Sequence, residues 1–332
     1  MDKPAGTVAG TVAGPPGLAE YATQSPYSDP GAHSAAVAAV EPDPASLHRA
    51  ACSAVVHYRA GSPTLTDEQQ HDIDRRWLSA VLDAAAERQA GPLEMPRDLP
   101  RQVAGCCRDH TLLAVSVLRA HAIPARSRIG FAGYFEPAFH GDHVVVERWD
   151  ADSGRWVRSD PELDPADFDF DVHDMPTGPG APFETAAEVW RAIRSGDADP
   201  TTYGVSGTEL IGKDLVRDYV MLELAHRQRD ELLLWDLWGP RLIWAGGEVT
   251  ARAVAAGVPG ADMEPEAFDA LADELAALLV AADAGDVGAV AELAARYRSD
   301  PRLRPGERVV TLSPSGRAGV TDLRDRTTAW ER

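Results

Sequence analysis

The clearest pattern of apolar and polar positions lies between residues 100 and 165. Residues 111–118 are apolar on most sides and form a run that is too long for a typical strand, which predicts a buried helix closed by Ile123 and Pro124. Three segments with strand character follow, at 126–131, 142–149 and 155–160. The turn residues 152–154 connect the last two as a hairpin. A helix followed by an antiparallel sheet predicts an α+β fold.

Helical patterns flank this stretch on both sides. Residues 46–58 form one of them, and in the next Thr66 and Gln69 provide a capping box before an apolar stripe at 73, 77 and 81. After residue 187 the helical patterns cover 215–224, 230–238, 264–280 and 286–297. The pattern therefore predicts a core domain over residues 18–175 and a mainly helical carboxyl-terminal subdomain over 176–332. Residues 1–17 have almost no large apolar side chains and are predicted to be flexible.

Composition and charge narrow the class of protein. The 332 residues are 44% hydrophobic and 25% charged, which is typical of a globular protein that folds without disulfides. The net charge of −20 repels phosphate backbones and anionic lipids, so we expect neither nucleic acid nor a membrane as partner. The three cysteines include an adjacent pair, and the chain has neither a signal-peptide pattern nor eighteen consecutive apolar residues. These features predict a cytoplasmic protein.

Three residues in the 100–165 stretch could act together in catalysis. Cys107 opens the predicted buried helix, where free backbone N–H groups and the helix dipole favour a thiolate. His143 lies at the start of a predicted strand, and Asp160 ends the strand that pairs with it. A nucleophile, a base and a residue that orients the base are what acyl transfer requires. The chain contains no Asn, so a catalytic Asn is excluded.

At these residues the chain resembles the transglutaminase-like superfamily, a branch of the papain-like cysteine enzymes. The resemblance lies in Gly105-x-Cys107-Arg108-Asp109, the continuation from Leu118-Arg119 to Ile123-Pro124-Ala125-Arg126, the His143 strand, and Gly154-Arg155-Trp156-Val157 leading to Asp160-Pro161. It covers about residues 100–165 and implies a papain-like fold in which 18–175 is the catalytic core. It also implies a Cys107, His143 and Asp160 triad and an acyl-enzyme released to water or to an amine, with no cofactor and no metal.

The resemblance leaves the auxiliary residues and the substrate open. An oxyanion would bind the Cys107 backbone N–H and a second donor, for which Gln102 is a weak candidate. His110 and Val144 stand where such proteins commonly have Phe and Trp, which affects the pocket lining. His110 could tune Cys107, although a purely structural His110 is favoured. Cys106 could form a vicinal disulfide with Cys107 under oxidation, but a small buried residue is the favoured interpretation.

Two reaction types fit this interpretation. One is hydrolysis of an amide or peptide, and the other is amide formation, in which an amine acceptor intercepts an acyl group delivered as a thioester, as from an acyl carrier protein. The acidic chain disfavours an acidic carrier unless Arg119, Arg126 and Arg128 form a local basic patch, and it favours basic peptides or amines. The alternative from another class is a non-catalytic binding or scaffold protein on the same fold.

Three weaker signals favour ordinary structural roles. Residues 207–214 approximate a phosphate-binding loop, but Asp214 replaces the hydroxyl that would hold Mg²⁺. Within the acidic stretch 160–174, the alternation Asp167, Asp169 and Asp171 begins like a calcium loop, yet Val172 occupies the position that requires Gly. Trp235, Trp238 and Trp244 could line a pocket, although a core role is favoured for them.

Overall fold

The computed structural model describes residues 17–258 and 263–331. The segment predicted to be flexible, residues 1–17, lies outside the described residues apart from Gly17. The α+β fold class is confirmed, because helices and antiparallel sheets are built around a shared core.

The described residues contain the following helices and strands in chain order. The amino-terminal elements are α1 (Ser34–Ala38), α2 (Pro44–Ala54), β1 (Val55–His57), α3 (Asp67–Asp72), α4 (Leu78–Arg88) and β2 (Val103–Gly105). The central elements are α5 (Cys107–Ala120), β3 (Ala125–Glu136), β4 (Phe139–Asp150), β5 (Arg155–Ser159), β6 (Phe183–Thr185), α6 (Ala186–Ser195), β7 (Tyr203–Gly204) and α7 (Lys213–Arg227). The carboxyl-terminal elements are β8 (Asp236–Leu237), α8 (Gly246–Ala255), α9 (Pro265–Asp283), α10 (Val287–Ser299), β9 (Arg308–Leu312), β10 (Ala318–Asp322) and β11 (Thr327–Trp330).

The central sheet carries one half of the candidate site. Its strand order is β5-β4-β3-β6, antiparallel throughout, and β7 adds to β4 in parallel. Helix α5 packs against β3 and β4, and its residues 107–119 are all buried. Gly130 of β3 lies opposite His143 of β4, and a Cβ at Gly130 would come within 2.0 Å of the Glu184 backbone oxygen. Only glycine therefore allows β6 to pair this closely with β3 beside His143.

Two further sheets complete the fold. Strands β1 and β2 form a parallel pair just before α5, and strands β8 to β11 form a four-stranded antiparallel sheet. The predicted carboxyl-terminal subdomain thus contains a sheet as well as helices. Strand β6 and helix α7 pack on β3, and one hydrophobic core includes residues from both sides of the predicted boundary at 175 and 176. The core is therefore continuous across that boundary.

Three elements differ from the predicted ones. The helix predicted over 46–58 ends at Ala54, and the β-branched residues Val55 and Val56 pair with β2 instead. The capping box of Thr66 and Gln69 is present, but α3 ends at Asp72 and α4 starts afresh at Leu78. The helix predicted over 230–238 is wrong, because this apolar segment leads directly into β8. Its buried leucines produced a helix-like pattern in an irregular core segment.

Candidate active site

The start of α5 is fixed by a short cap. Cys106 is the N-cap residue, and its backbone N–H donates to Oδ2 of Asp109 at 2.9 Å. A Cβ on Gly105 would lie 2.6 Å from that same Oδ2, so the glycine gives the carboxylate room to reach back. Cys107 is the first residue of the helix. The backbone N–H of Cys107 accordingly belongs to the first turn, whose N–H groups have no partner within the helix.

Two polar side chains hold α5 in place. The Thr111 hydroxyl, one turn beyond Cys107, donates to the Val144 backbone oxygen at 2.8 Å. Because Val144 follows His143, this bond sets the position of α5 relative to the histidine. Arg108 donates from Nη1 to Asp109 at 2.8 Å and from Nε to the Glu231 backbone oxygen at 3.1 Å. The buried guanidinium thereby ties the helix start to the carboxyl-terminal half of the chain.

His143 and Asp160 form a buried pair. His143 Nε2 lies 2.6 Å from Asp160 Oδ2, and the two residues are 3% and 2% exposed. The same Oδ2 accepts a hydrogen bond from the Tyr134 hydroxyl at 2.7 Å, and Oδ1 accepts one from the Glu162 backbone N–H at 2.9 Å. The carboxylate is thus held from three directions. In the described part of the chain, Nδ1 of His143 makes no hydrogen bond.

Cys107 and His143 line one large cavity. Its volume is about 970 Å³, and His57, Tyr58 and Cys106 line it as well. The walls come from the amino-terminal segment, the central sheet, the loop before α7, and the segments around 234–244 and 312–314. The carboxyl-terminal half of the chain therefore supplies much of the wall of this cavity.

Acidic groups predominate among the charged residues of the cavity lining. Four lining side chains are carboxylates and Arg59 is basic; the carboxylates are Glu136, Asp142, Glu162 and Asp218. Asp218 is neutralised by a buried ion pair with Arg241 at 3.0 Å. Burial raises the pKa of Asp142, although the Tyr219 hydroxyl, which donates to it, acts in the opposite direction. The cavity is therefore better suited to neutral or cationic ligands than to anionic ones.

The Cys107 thiol departs from the thiolate expected at a helix start. Its pKa is raised well above the usual value, first by a hydrogen bond with the Cys106 thiol, then by burial and by the nearby carboxylates of Glu162 and Asp142. These effects outweigh the helix N-terminus, which acts in the opposite direction. The expected preformed thiolate is therefore wrong for the resting state, in which the sulfur keeps its proton.

The pKa values of His143 and Asp160 shift in opposite directions. Burial alone would lower the pKa of His143, but the charge of Asp160 and its hydrogen bond raise it above the usual value. Burial alone would raise the pKa of Asp160, but the charge and hydrogen bond of His143 and the Tyr134 hydroxyl lower it. The pair therefore favours an ionised carboxylate beside a histidine that binds protons more readily than usual.

The auxiliary residues have other partners. Gln102 does not line the cavity, and its amide donates to the Cys52 backbone oxygen at 2.7 Å, so its assignment as the oxyanion donor is corrected. The ring nitrogens of His110 lie 3.0 Å from the Cys106 backbone oxygen and 3.2 Å from that of Val55. His110 thus braces α5 against β1. Cys106 is buried beside Cys107, and the structure shows two free thiols there.

The arginines that might have received an acidic carrier protein are buried. Arg119, Arg126 and Arg128 are at most 4% exposed. They form ion pairs with buried or half-buried carboxylates, which include Glu231, Glu147, Glu223 and Asp283. They form no basic surface patch, so the condition under which a carrier protein was expected is not met.

The weaker sequence signals acquire structural explanations. Lys213, in the loop that approximates a phosphate-binding motif, forms an ion pair with Asp269. Trp238 is fully buried in the core, whereas Trp235 and Trp244 line the cavity. One combination of ligand atoms could accept a cation: His143, Asp160 and Glu162 each offer one, and these atoms lie within 4.8 Å of one another. A cation bound there would compete with the His143 and Asp160 pair.

Two residues of the site were missed at the sequence level. Tyr134 lies on β3 and donates to Asp160, but an isolated tyrosine in a strand gives no signal of such a role. His57 ends β1 and lines the cavity, and it was read as part of a helix. The local sequence pattern does not predict the pairing of β1 with β2, which brings His57 opposite Gly105.

One of three comparisons with known proteins identifies a family for the segment that contains the site. The sequence profile of the transglutaminase-like superfamily matches residues 72–161. A comparison with curated proteins gave no match. Among solved structures, a candidate cysteine protease from Cytophaga hutchinsonii aligns with 16% identity and a TM-score of 0.29, over 44% of this chain and 42% of that chain.

The matched segment contains the cysteine, the histidine and the carboxylate of the candidate site. It includes the start of α5, the His143 strand and Asp160. No helix in residues 17–258 or 263–331 has the length and apolar character needed to cross a bilayer. At residues 72–161, this chain therefore carries a domain of the transglutaminase-like superfamily.

Proposed function

We propose that this protein is a cysteine-dependent acyl-transfer enzyme in which Cys107 is the nucleophile, His143 the base and Asp160 the residue that orients the base. One observation carries the proposal. His143 shares a cavity with Cys107 and uses Nε2 for its bond to Asp160, so that Nδ1 is left to take a proton. A base whose second nitrogen is fixed by a buried carboxylate is the arrangement that activates a nucleophile.

The reaction begins from a neutral thiol. Because the pKa of Cys107 is raised, His143 has to remove the thiol proton as the sulfur attacks a carbonyl carbon. The raised pKa of His143 makes it a stronger base for this step. Asp160 stabilises the imidazolium that results, and the imidazolium then gives its proton to the leaving nitrogen or sulfur. The acyl group remains on Cys107 until water or an amine removes it.

The volume and charge of the cavity restrict the class of substrate. Its volume of about 970 Å³ is large enough for a peptide-sized or drug-sized group. Its excess of carboxylates favours an uncharged amide, a basic peptide or an amine acceptor. Because the arginines considered above are buried, an acyl carrier protein as donor has no surface support. We therefore favour an amide or peptide as the acyl donor, with water or an amine as the acceptor.

Thiol labelling tests whether the site is active. Limiting iodoacetamide near neutral pH should modify Cys107 ahead of Cys52, as read by peptide mass mapping. Cys52 is an internal control, because burial raises its pKa to about 12 and its nearest histidine, His48, is bonded at Nδ1 to the Pro161 backbone oxygen. His143→Ala should slow the labelling of Cys107 without changing that of Cys52. Equal, slow labelling of all three cysteines would instead favour a non-catalytic scaffold.

The acceptor requires a second experiment. Intact-mass analysis after exposure to activated esters and small acyl thioesters should show an acyl adduct that is absent from Cys107→Ala. The adduct is then isolated and offered water alone or water with primary amines, and the products are separated. Discharge at one rate with and without amines identifies a hydrolase. Amine-dependent discharge with amide formation identifies an acyltransferase.

A further inference from the structure

His57 lies on the strand that pairs with the segment leading into α5. Strand β1 pairs with β2 so that His57 is opposite Gly105, and the next backbone N–H, that of Tyr58, donates to the Gly105 oxygen at 2.8 Å. Gly105 is two residues before Cys107. His57 also lines the cavity that contains Cys107 and His143. His57 therefore faces the same cavity in which a carbonyl group would meet the sulfur.

The hydrogen bonds of the ring fix its tautomer. Nδ1 of His57 accepts the backbone N–H of Arg59 at 3.2 Å and that of Ala60 at 3.1 Å. A ring nitrogen that accepts N–H bonds carries a lone pair, so the proton of the neutral ring is on Nε2. Burial lowers the pKa of His57 to about 4, so the ring is neutral at physiological pH. Nε2–H is thus a donor, and it makes no hydrogen bond within residues 17–258 and 263–331.

Other polar side chains near the cavity could also donate a hydrogen bond to a substrate oxygen. Gln102 and Trp235 already donate to other groups, and Tyr58 would donate through a hydroxyl group. Gln102 donates to the Cys52 backbone oxygen and does not line the cavity. Trp235 does line the cavity, but its indole N–H donates to Asp74 at 2.9 Å. Tyr58 is also in the lining, and its ring stacks on that of His57. An experiment therefore has to distinguish a hydrogen bond donated by His57 from one donated by Tyr58.

We propose that Nε2–H of His57 is the second donor of the oxyanion hole, acting with the backbone N–H of Cys107. This inference rests on the proposed function. When the Cys107 sulfur bonds to the carbonyl carbon, the π electrons move to the oxygen and the thiol proton moves to His143. Two neutral N–H groups then hold the oxyanion. The intermediate collapses as the bond from carbon to the leaving nitrogen or sulfur breaks, and that atom takes the proton from His143.

Two substitutions separate the donor from the structural role of the ring. In His57→Asn, the amide oxygen can replace Nδ1 as acceptor for the two backbone N–H groups, but nothing reaches the Nε2 position. In His57→Gln, the amide nitrogen reaches the Nε2 position and can donate there. Two reactions are compared for each variant. Acylation by p-nitrophenyl acetate forms an oxyanion, whereas alkylation by iodoacetamide displaces iodide at a saturated carbon and forms none.

If His57 is the donor, its substitution should slow acylation but not alkylation. His57→Asn should lower the single-turnover acylation rate by about 10²–10³-fold, the loss typical of removing one oxyanion donor, and should leave alkylation unchanged. His57→Gln should recover most of the lost acylation. An equal loss of both reactions in His57→Asn would show a structural role and overturn the inference. A loss confined to Tyr58→Phe would assign the donor to the tyrosine and overturn it as well.

The same experiment distinguishes this inference from the proposed function. A native protein that is acylated no faster than His57→Asn would overturn the inference alone. A native protein that is alkylated at Cys107 but never acylated would overturn both. A measurement on the native protein covers the case in which His57→Asn does not fold. Nitrogen-15 chemical shifts of the histidine rings should show His57 protonated at Nε2 at neutral pH, and protonation at Nδ1 would contradict the inference.

Discussion

Replacing Asp160 with asparagine is the sharpest test of the proposed base. The carboxylate accepts from His143 and Tyr134 through Oδ2 and from the Glu162 backbone N–H through Oδ1. An asparagine amide has one acceptor and one donor group, so in either orientation its NH₂ faces a group that also donates. The Glu162 backbone N–H cannot become an acceptor, so the NH₂ is expected to face His143, and to accept from it the ring must move its proton to Nδ1. The nitrogen that should receive the thiol proton is then already protonated.

The size of the effect follows from the geometry. The pair is buried with 2.6 Å between Nε2 and Oδ2. At an effective dielectric constant of about 20, a carboxylate and an imidazolium with charge centres about 4 Å apart attract by about 4 kcal/mol. That energy corresponds to about a thousandfold in rate. With the wrong tautomer added, we expect Asp160→Asn to lower the acylation rate by about 10³–10⁴-fold.

The pH dependence of acylation tests the same contact independently, through the direction in which its midpoint shifts. In the native protein His143 has to be neutral to accept a proton, so activity should rise with pH through its raised pKa, above the usual 6.5. Without the Asp160 carboxylate, the lowering effect of burial is opposed only by the smaller raising effects of Glu162 and Asp142, so the pKa of His143 and with it the midpoint should fall. The assay is single-turnover release of p-nitrophenol between pH 5 and 9. Asp169→Asn, the same change at an exposed side chain of the following loop, is the matched control.

Two results would refute this reasoning. One is an Asp160→Asn variant that is folded and keeps an acylation rate close to that of Asp169→Asn. The other is a variant in which the midpoint of the acid limb stays in place or rises. Either result would mean that the carboxylate neither fixes the tautomer nor raises the pKa of the base.

Three further substitutions test individual contacts. Tyr134→Phe removes one hydrogen bond to the Asp160 carboxylate, and because hydrogen bonds to charged groups contribute about 1.5–3 kcal/mol to stability, the free energy of unfolding in urea should fall by about that amount. Cys106→Ala removes the thiol that raises the pKa of Cys107, so iodoacetamide labelling of Cys107 should be faster near pH 8, and a slower rate would contradict the assigned cause. Arg128→Met leaves the buried carboxylate of Glu223 without its ion-pair partner, while Glu147 and Asp283 keep Arg126, and it should lower the free energy of unfolding in urea by about 3–5 kcal/mol. Burial already raises the pKa of Glu223 to about 7, against the effect of Arg128. The loss of unfolding free energy in Arg128→Met should therefore shrink as the pH falls from 8 to 5, because the folded state takes up protons. A loss of unfolding free energy that grows over this range would refute this cause.

The local sequence was sufficient for much of the central sheet and for the cysteine helix. The run at 111–118 predicted a buried helix, and α5 extends over Cys107–Ala120. The three strands predicted between 126 and 160 are present, and the last two have their predicted hairpin pairing, because turn residues and strand-type composition are local signals. The position of Cys107 at the helix start was readable for the same reason. Elements with strong local periodicity were therefore predictable.

Long-range packing decided the rest. Two β-branched residues, Val55 and Val56, are too short a signal to separate this segment from the preceding helix, and it forms β1 because β2 provides a partner about fifty residues later. The state of the Cys107 thiol depends on burial and on neighbouring groups that the helix position does not reveal. His57 and Tyr134 enter the site only through the pairing of strands. The sequence determined which residues could perform the chemistry, whereas the tertiary structure decided their protonation and their partners, because electric fields and hydrogen bonds act through space.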